Sequence, residues 1–155
     1  MSAVSPCKGG TVTAAAVPEV QWSQPFRWGL LTAFDSENRW DLPYDVSAEL
    51  VTATETAIAV QVRHSQDIAE PEGWPSDLSL PEQLVRVVVA FAESPKGAPV
   101  DFRTSLQCPS GRLAVGDAEN ERVLDVPPGL LRIQVSLFPR EFAEHVILRV
   151  TPTDN

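Results

Sequence analysis

The chain has 155 residues and a mass of 16.9 kDa, which is the size of a single domain. Hydrophobic residues make up 43% and charged residues 21%, a composition too apolar for a disordered chain and too polar for a membrane protein. The 12 basic and 21 acidic residues give a net charge of −9, which disfavours binding to nucleic acids and anionic membranes. A field of this sign attracts basic proteins, although many proteins are acidic for solubility alone.

The cysteine content and the N-terminal residues indicate the cellular compartment in which we expect the protein. Cys7 and Cys108 are too few for a disulfide framework or a four-ligand zinc site, so we expect two reduced thiols. A single bridge that clamps the N-terminus is the alternative. The first residues contain no basic segment followed by an apolar run, so we expect no signal peptide and a cytoplasmic location.

The distribution of proline predicts the fold class. The 14 prolines punctuate the chain, and short runs rich in Val, Ile, Leu and Thr lie between them. Such punctuation leaves no helical stripe of useful length and is typical of short strands joined by turns. We therefore predict a single all-β domain over residues 1–155, a sandwich of two mainly antiparallel sheets with about eight or nine strands.

In the first half of the chain, strand composition recurs in four segments, Thr11–Val17, Gln24–Phe34, Ala48–Ala53 and Thr56–His64. The last two read as a hairpin, because Ile58, Val60 and Val62 alternate with less apolar residues in its second arm. Asp35–Asp45 and Ser65–Pro81 are predicted loops, rich in polar residues and proline.

Further strands are predicted at Leu84–Phe91, Val100–Gln107, Arg112–Val115, Arg122–Val126, Leu130–Phe138 and His145–Thr151. The first of these is apolar on both faces, which predicts a central strand. Pro139–Glu144 reads as one helical turn or a loop. The predicted core includes alternate residues of three strands, namely Val87, Val89, Ile133, Val135, Val146 and Leu148.

The strand patterns also suggest a shared basic surface. If Thr56–His64 joined the same sheet as the last two strands, Arg63, Arg132 and Arg149 would lie on one outer face. Strand order cannot be read from the pattern, so this interpretation depends on the sheet to which each strand belongs.

Residues that could carry catalysis are scarce. The two histidines, His64 and His145, fall at predicted strand ends and lack a metal-binding spacing. The sequence contains neither a Gly-x-Ser-x-Gly nucleophile motif nor a glycine-rich phosphate loop. Gly116–Glu121 lacks the spacing of a calcium loop and reads as a solvated hairpin tip. We therefore expect no catalytic residue, no metal and no cofactor.

Tryptophans beside acidic residues give the clearest candidate site. Of Trp22, Trp28, Trp40 and Trp74, the last two fall in predicted loops. Exposed indoles serve as protein-binding anchors or sugar platforms, whereas buried ones would close the ends of the sandwich. The loop around Trp74 carries four acidic residues and no basic one. The predicted partner-binding residues are therefore Trp74, Asp67, Glu70, Glu72, Asp77 and Trp40.

From Leu84 to Pro152 the chain resembles a known family. The segments VPPGLLRIQV (126–135) and VILRVTP (146–152) follow a strong strand and a hairpin. This order is similar to the C-terminal half of small bacterial β-sandwich proteins of the competence protein J type, which are nuclease inhibitors. Leu131 and Thr151 stand where the resemblance leads us to expect an aromatic residue and a tryptophan. The resemblance implies a non-enzymatic inhibitor or immunity-type role.

These observations favour a soluble, non-enzymatic binding protein, of the inhibitor or immunity type, that meets a basic protein through acidic loops. One alternative is a carbohydrate or small-ligand module that uses exposed tryptophans. Another is an accessory subunit whose exposed strand pairs with a neighbouring protein.

Overall fold

The computed structural model describes residues 18–38, 49–66, 72–75, 77–78 and 81–153. Within these ranges the chain forms ten strands and no helix, which confirms the predicted all-β class. In chain order the strands are β1 Glu19–Pro25, β2 Leu30–Asp35, β3 Val51–Ala53, β4 Ala57–Gln61, β5 Leu84–Ala90, β6 Phe102–Cys108, β7 Arg112–Gly116, β8 Glu121–Asp125, β9 Gly129–Phe138 and β10 His145–Pro152. The predicted strand Thr11–Val17 lies outside the described residues.

The ten strands form two five-stranded sheets. The order in the first sheet is β1-β5-β10-β9-β6, and in the second it is β3-β4-β2-β7-β8. Every neighbouring pair is antiparallel except β5 and β10, which run parallel. The predicted arrangement of two mainly antiparallel sheets is confirmed. β5 has a neighbour on each side, as its two apolar faces predict.

The core lies between the sheets and is made of the inward residues of both. In β9 and β10 these residues alternate with outward ones, so that Val135 lies opposite Leu148 and Ile133 opposite Val150. The six predicted core residues, Val87, Val89, Ile133, Val135, Val146 and Leu148, are all buried. A second, small cluster of Phe34, Ala57 and Ala114 lies on the outward face of the second sheet.

The predicted single strand Gln24–Phe34 is wrong, because a turn divides it. Gly29 N donates a hydrogen bond of 3.0 Å to Phe26 O, and Gly29 has a φ of 67°, a left-handed conformation that glycine adopts without strain. The chain therefore leaves the first sheet after β1 and enters the second sheet at β2. The described residues contain ten strands instead of the eight or nine expected.

The predicted hairpin of β3 and β4 is confirmed. It lies in the second sheet, whereas a face shared by Arg63, Arg132 and Arg149 would require it to lie in the first. β4 pairs with β3 and β2 in the second sheet, so Arg63 does not share an outer face with the other two arginines. Arg132 and Arg149 do share the outer face of the first sheet, where Arg132 lies opposite Thr151 and Arg149 opposite Gln134.

Two of the connections join strands of the first sheet. The segment 91–101 joins β5 to β6 across the outer face of the first sheet, where Ser94 N donates to Gln134 Oε1 and Ser136 Oγ donates to Pro99 O, both at 2.7 Å. Pro139–Glu144 is a loop between β9 and β10 and contains no helical turn. Within the ranges described, no helix has the length and apolar character needed to cross a membrane.

Candidate functional site

Several connections meet at one end of the sandwich, which we call the Trp28 end. It comprises the turn 26–29, both ends of the segment 65–83, the hairpin tip 116–121 and the loop 139–144. Ser65 N donates to Phe26 O at 3.0 Å, and Gln83 N donates to Ser65 O at 2.6 Å. Val62 N donates to Gly29 O at 2.9 Å and bridges to Ala143. The predicted acidic loop therefore begins and ends beside the turn that carries Trp28.

Exposed apolar side chains concentrate at the Trp28 end. Six large hydrophobic residues are exposed in the described part of the chain, and four of them belong to segments that meet there, namely Trp28, Leu84, Phe138 and Phe142. Leu84 is paired with Pro25 at the end of β1, and Phe138 is paired with His145 at the end of β9. Leu84 and Phe138 occupy outward positions of the first sheet, whereas Trp28 adjoins the outer face of the second sheet, so these side chains share one end of the sandwich without forming a single patch.

Trp28 is 70% exposed and lines a cleft of about 320 Å³, which we call the Trp28 cleft. The outward residues Leu30, Thr32 and Phe34 of β2 form one wall, because alternate residues of a strand point to the same side. The other described lining residues, Asp117, Ala118 and Glu121, come from the hairpin tip between β7 and β8. The cleft thus combines an indole, an apolar wall and two carboxylates.

Arg27 ties the Trp28 end together by ion pairs. Its Nε and Nη2 donate to the two carboxylate oxygens of Glu82 at 3.1 and 3.4 Å, and its Nη1 donates to Glu119 at 3.1 Å. The hydrogen bond and the charge of Glu82 raise the pKa of Arg27, and the same hydrogen bond lowers the pKa of Glu82. The turn, the start of β5 and the hairpin tip are therefore linked through one guanidinium.

The hairpin tip holds Asp117 in a defined position. Asp117 is only 5% exposed, and its Oδ1 accepts hydrogen bonds from Glu119 N at 3.0 Å and Asn120 N at 2.8 Å. The hairpin predicted at Gly116–Glu121 is confirmed, but Asp117 is buried instead of solvated. Across the ranges that the structure describes, no group of three or more His, Cys, Asp or Glu side chains is placed to hold a metal ion.

The sequence-predicted site residues fall partly within the described chain. Glu72 and Asp77 are exposed, whereas Trp74 is half-buried and its Nε1 donates to Leu78 O at 3.1 Å. Asp67, Glu70 and Trp40 lie outside the described residues.

Trp28, which falls inside the predicted strand Gln24–Phe34, is the most exposed of the three tryptophans that the structure describes. The signal that could have found it is the dipeptide Trp28-Gly29, since a glycine within a strand pattern often marks a turn. Trp22, by contrast, is 8% exposed and fills the edge between β1 and β8. Its Nε1 donates to Gln24 Oε1 at 2.7 Å, and the guanidinium of Arg122 lies 4.9 Å from its ring centroid.

Four of the basic residues lie away from the cleft. The outward positions of the first sheet carry Arg86, Arg103, Arg132 and Arg149. Arg86 donates to Gln21, Arg132 pairs with Glu93 at 2.5 Å, and Arg149 donates to Ser136 Oγ at 3.2 Å. The lining of the Trp28 cleft, by contrast, includes two acidic residues and no basic one among those described.

Comparison with known proteins shows similarity at the level of the fold. No protein-family model and no curated protein matches the sequence. The crystal structure of ComJ from Bacillus subtilis, described as the inhibitor of the DNA degrading activity of NucA, is similar with a TM-score of 0.56 at 9% identity. The match covers 90% of this chain and 100% of that one. The chain shares its fold with ComJ.

A second solved structure, named "Crocagin biosynthetic gene J", has a TM-score of 0.49 at 16% identity and covers 90% of this chain and 98% of its own. The similarity to ComJ, with its TM-score of 0.56, confirms the resemblance to the competence protein J type at the level of the fold. It extends beyond the segment from Leu84 to Pro152 on which it was based, because the match to ComJ covers 90% of the chain. An identity of 9% to ComJ provides no residue-by-residue correspondence.

Proposed function

We propose that this chain is a non-enzymatic binding protein of the inhibitor type, and that it binds a basic protein through the Trp28 end. The observation that carries the proposal is the exposed indole of Trp28 beside the carboxylates of Asp117 and Glu121 in one cleft. Large exposed tryptophans supply much of the free energy of binding in protein interfaces, since covering the indole removes a large apolar area from water.

The surrounding charges would act mainly on the rate of association. The chain carries a net charge of −9, so a basic partner is attracted before contact, and the attraction weakens as salt increases. Phe142, in the loop 139–144, adds another exposed apolar side chain at the Trp28 end. The expected interface therefore has an apolar centre with charged residues around it, as in many protein complexes.

The fold supports the class of the proposal. ComJ, which has this fold, is described as an inhibitor of the DNA degrading activity of NucA, so the sandwich is able to serve as an inhibitor. We extend the proposed surface to the loop around Trp74, because hydrogen bonds of Ser65 and Gln83 hold its two ends beside Phe26. In that loop Glu72 and Asp77 would contact the partner together with Trp74.

The first experiment measures partner binding by matched variants. Proteins captured by the immobilised chain are identified, purified and titrated calorimetrically against wild type, Trp28→Ala and Trp74→Ala. We expect Trp28→Ala to weaken binding about 30-fold or more without a comparable loss of stability. Trp74→Ala should weaken binding too if its ring contacts the partner. Unchanged binding by Trp28→Ala would place the interface elsewhere.

The second experiment tests the charge of the partner. Glu119→Lys should slow association, and more strongly at low salt. The matched control is Glu55→Lys, since Glu55 is exposed in the β3–β4 turn, at the end of the second sheet opposite to Trp28, where its carbonyl accepts a hydrogen bond from Gln107 N. If Glu119→Lys and Glu55→Lys slow association equally, the net charge of the chain determines the rate, and the partner makes no local contact with Glu119.

A carbohydrate module is the second candidate, favoured by the composition of the cleft. An indole face, the Thr32 hydroxyl and two carboxylates also suit a sugar ring, and about 320 Å³ is at the lower end of ligand-site volumes. A glycan array probed with wild type and Trp28→Ala separates the two candidates, because a Trp28-dependent glycan signal supports the carbohydrate function.

The accessory-subunit alternative is weakened at β8, where Glu121, Arg122 and Asp125 place charges that discourage strand pairing.

A further inference from the structure

We infer that the outer face of the first sheet carries a second interaction surface, which binds an acidic segment of a partner protein. The segment would place carboxylates on the guanidiniums of Arg86 and Arg149 and an apolar side chain on Ile147 between them. This surface is separate from the Trp28 cleft, whose apolar wall belongs to the second sheet. It would bind a partner of the charge opposite to that proposed for the Trp28 end, and so goes beyond the proposed function.

Four outward side chains form a row across β1, β5, β10 and β9, which we call the Ile147 row. Gln21 lies opposite Val88. Ile147 has Val88 on one side and Ser136 on the other. Neighbouring strands are about 4.8 Å apart, so Gln21 and Ser136 are separated by about 14 Å. The middle of the row is aliphatic, and its two ends are polar.

A guanidinium is held at each end of the Ile147 row by a neutral side chain. Arg86 donates to Gln21 Oε1, and Arg149 Nη1 donates to Ser136 Oγ at 3.2 Å. Within the ranges that the structure describes, neither arginine forms an ion pair. A guanidinium has several N–H donors in a fork, so each of the two retains donors for an incoming carboxylate.

The acidic side chains nearest to the Ile147 row have other partners. Glu93 pairs with Arg132 at 2.5 Å, and Glu19 accepts a hydrogen bond of 3.0 Å from the amide of Gln21. The two guanidiniums of the row therefore form a local positive site on a chain whose net charge is −9. Carboxylates complement such a site and bind a guanidinium through charge-assisted, bidentate hydrogen bonds.

Exposed apolar side chains adjoin the row on the side of the Trp28 end. Leu84 precedes Arg86 by two residues and therefore shares its outward face, and Leu84 is 55% exposed. On the other side of Arg86 the ring of His145 contacts the exposed ring of Phe138, with 5.6 Å between centroids. Burial and the charge of Arg86 lower the pKa of His145, so the imidazole is neutral at pH 7. Apolar area beside arginines is typical of protein interfaces.

An extended acidic segment matches these spacings. Alternate residues of an extended chain face the same side, and each residue adds about 3.3 Å of length. In a Glu-x-Leu-x-Glu segment the leucine and both glutamates therefore face one side, with the glutamates about 13 Å apart. That separation is close to the distance between the two ends of the Ile147 row. The leucine would then lie over Ile147.

The test titrates the full-length chain, labelled at its isoleucine methyl groups, with the peptide Ac-Glu-Ser-Leu-Ser-Glu-NH2 and follows the NMR signals. Salt at about 150 mM screens the field of the net charge beyond about 8 Å. We expect a saturable shift of the Ile147 signal with a dissociation constant on the order of millimolar, while the signals of buried Ile58 and Ile133 stay in place. The same peptide with glutamine for both glutamates should bind at least about tenfold more weakly.

Variants locate the contact. Arg86→Gln and Arg149→Gln should each weaken peptide binding about threefold or more. The matched control is Arg103→Gln, which removes an equal charge from the same face at β6, on the far side of β9 from the Ile147 row. The control should leave binding unchanged, and the Ile58 and Ile133 signals report in each variant that the fold is retained.

Three results would overturn the inference. They are an unmoved Ile147 signal at about 10 mM peptide, equal binding of the glutamine peptide, and equal weakening by Arg103→Gln and Arg86→Gln. Inorganic phosphate that shifts the Ile147 signal with the affinity of the peptide would show a small-anion site and overturn the assignment to a protein segment.

The two proposed surfaces are tested independently. Trp28→Ala should leave peptide binding unchanged, because the Trp28 cleft adjoins the other sheet. Arg86→Gln should leave binding of the basic partner unchanged for the same reason. Loss of peptide binding in Trp28→Ala would overturn the assignment of the acidic segment to a separate surface.

Discussion

The hydroxyl of Ser110 donates a hydrogen bond of 2.6 Å to the buried carboxylate of Asp35. Ser110 N adds a second bond at 3.2 Å, and Glu37 N adds a third at 2.9 Å. Asp35 ends β2 in the second sheet, and Ser110 lies in the turn that leads from β6 in the first sheet to β7 in the second. One carboxylate therefore fixes the point at which the chain passes between the sheets.

This anchor predicts a defined pH dependence of stability. Burial raises the pKa of Asp35, but the hydrogen bonds from Ser110 and Glu37 outweigh burial and lower that pKa in the folded state. Because the folded pKa is below the unfolded one, the stabilisation is present above about pH 4 and is lost as pH falls through the folded pKa.

We expect Asp35→Asn to lower the free energy of unfolding by about 1–3 kcal/mol at pH 7, since the amide cannot accept all three bonds. The difference from wild type should shrink as pH falls toward 2. Urea denaturation at a series of pH values measures both, with Glu37→Gln as a control that removes an exposed charge and keeps the backbone donor. A difference that is independent of pH would contradict the role of the carboxylate.

Ile133 tests the register of β9. It is 1% exposed and faces the core, whereas its neighbour Arg132 faces outward and pairs with exposed Glu93. Ile133→Ala should cost about 2–5 kcal/mol of unfolding free energy, because it leaves a cavity between the sheets. Arg132→Ala should cost less than about 1 kcal/mol. The opposite ranking in chemical denaturation would show that the strand is shifted by one residue.

Gly116 tests the shape of the hairpin that carries Asp117. Its φ is 148°, and a Cβ at this position would lie 2.1 Å from Asn120 O and 2.7 Å from Glu121 Cα. Both are backbone atoms, so they cannot move aside without deforming the tip. Gly116→Ala should therefore lower the melting temperature by several degrees, for a loss of about 1–3 kcal/mol.

The matched control for this variant is Gly129→Ala. Gly129 also has a positive φ, 119°, but a Cβ there would meet nothing within 4 Å. The control carries the conformational strain without the clash, so it should be the less destabilising of the two. Equal melting temperatures for the two variants would show that the hairpin tip rearranges freely.

Cys108 is a buried free thiol, and its reactivity follows from its surroundings. Burial, with a further contribution from the charge of Asp35, raises the pKa of this thiol, so little thiolate forms at neutral pH. We expect slow reaction with an aromatic disulfide reagent in the native state and fast reaction in urea. Cys7 lies outside the described residues, and two thiols per chain in urea without reductant would confirm that both cysteines are reduced.

The amino-acid sequence by itself determined where strands form and which of their side chains face the core, because both depend on residues that are close in the chain. Alternation of apolar and polar residues along β9 and β10 predicts strands and also predicts which side chains of each strand face the core. Val88 makes β5 apolar on both faces, and this alone predicted a central position. Proline density excluded long helices for the same reason, since a proline acts on its own neighbours. The all-β class and the core of three strands were therefore predictable.

Pairing between strands was decided only by the tertiary structure. Leu30–Asp35 and Glu19–Pro25 have similar strand composition, yet a single turn at Gly29 places them in opposite sheets. Arg63 does not join the outer face of Arg132 and Arg149 for a related reason, because the strand that precedes it pairs within the second sheet. Strand pairing depends on the free energy of burying whole sheet faces against distant segments, so a short sequence pattern does not predict it.

The candidate site was the least predictable feature. The charge and the tryptophan content pointed to partner binding, but exposure of an indole depends on which distant segments pack over it. Trp22 is covered by Gln24 and Arg122, whereas Trp28, only six positions later, remains 70% exposed beside the hairpin tip of β7 and β8. The amino-acid sequence supplied the indole and the carboxylates; folding brought them from separate strands to one cleft, because burying the two apolar sheet faces fixes where every connecting loop must lie.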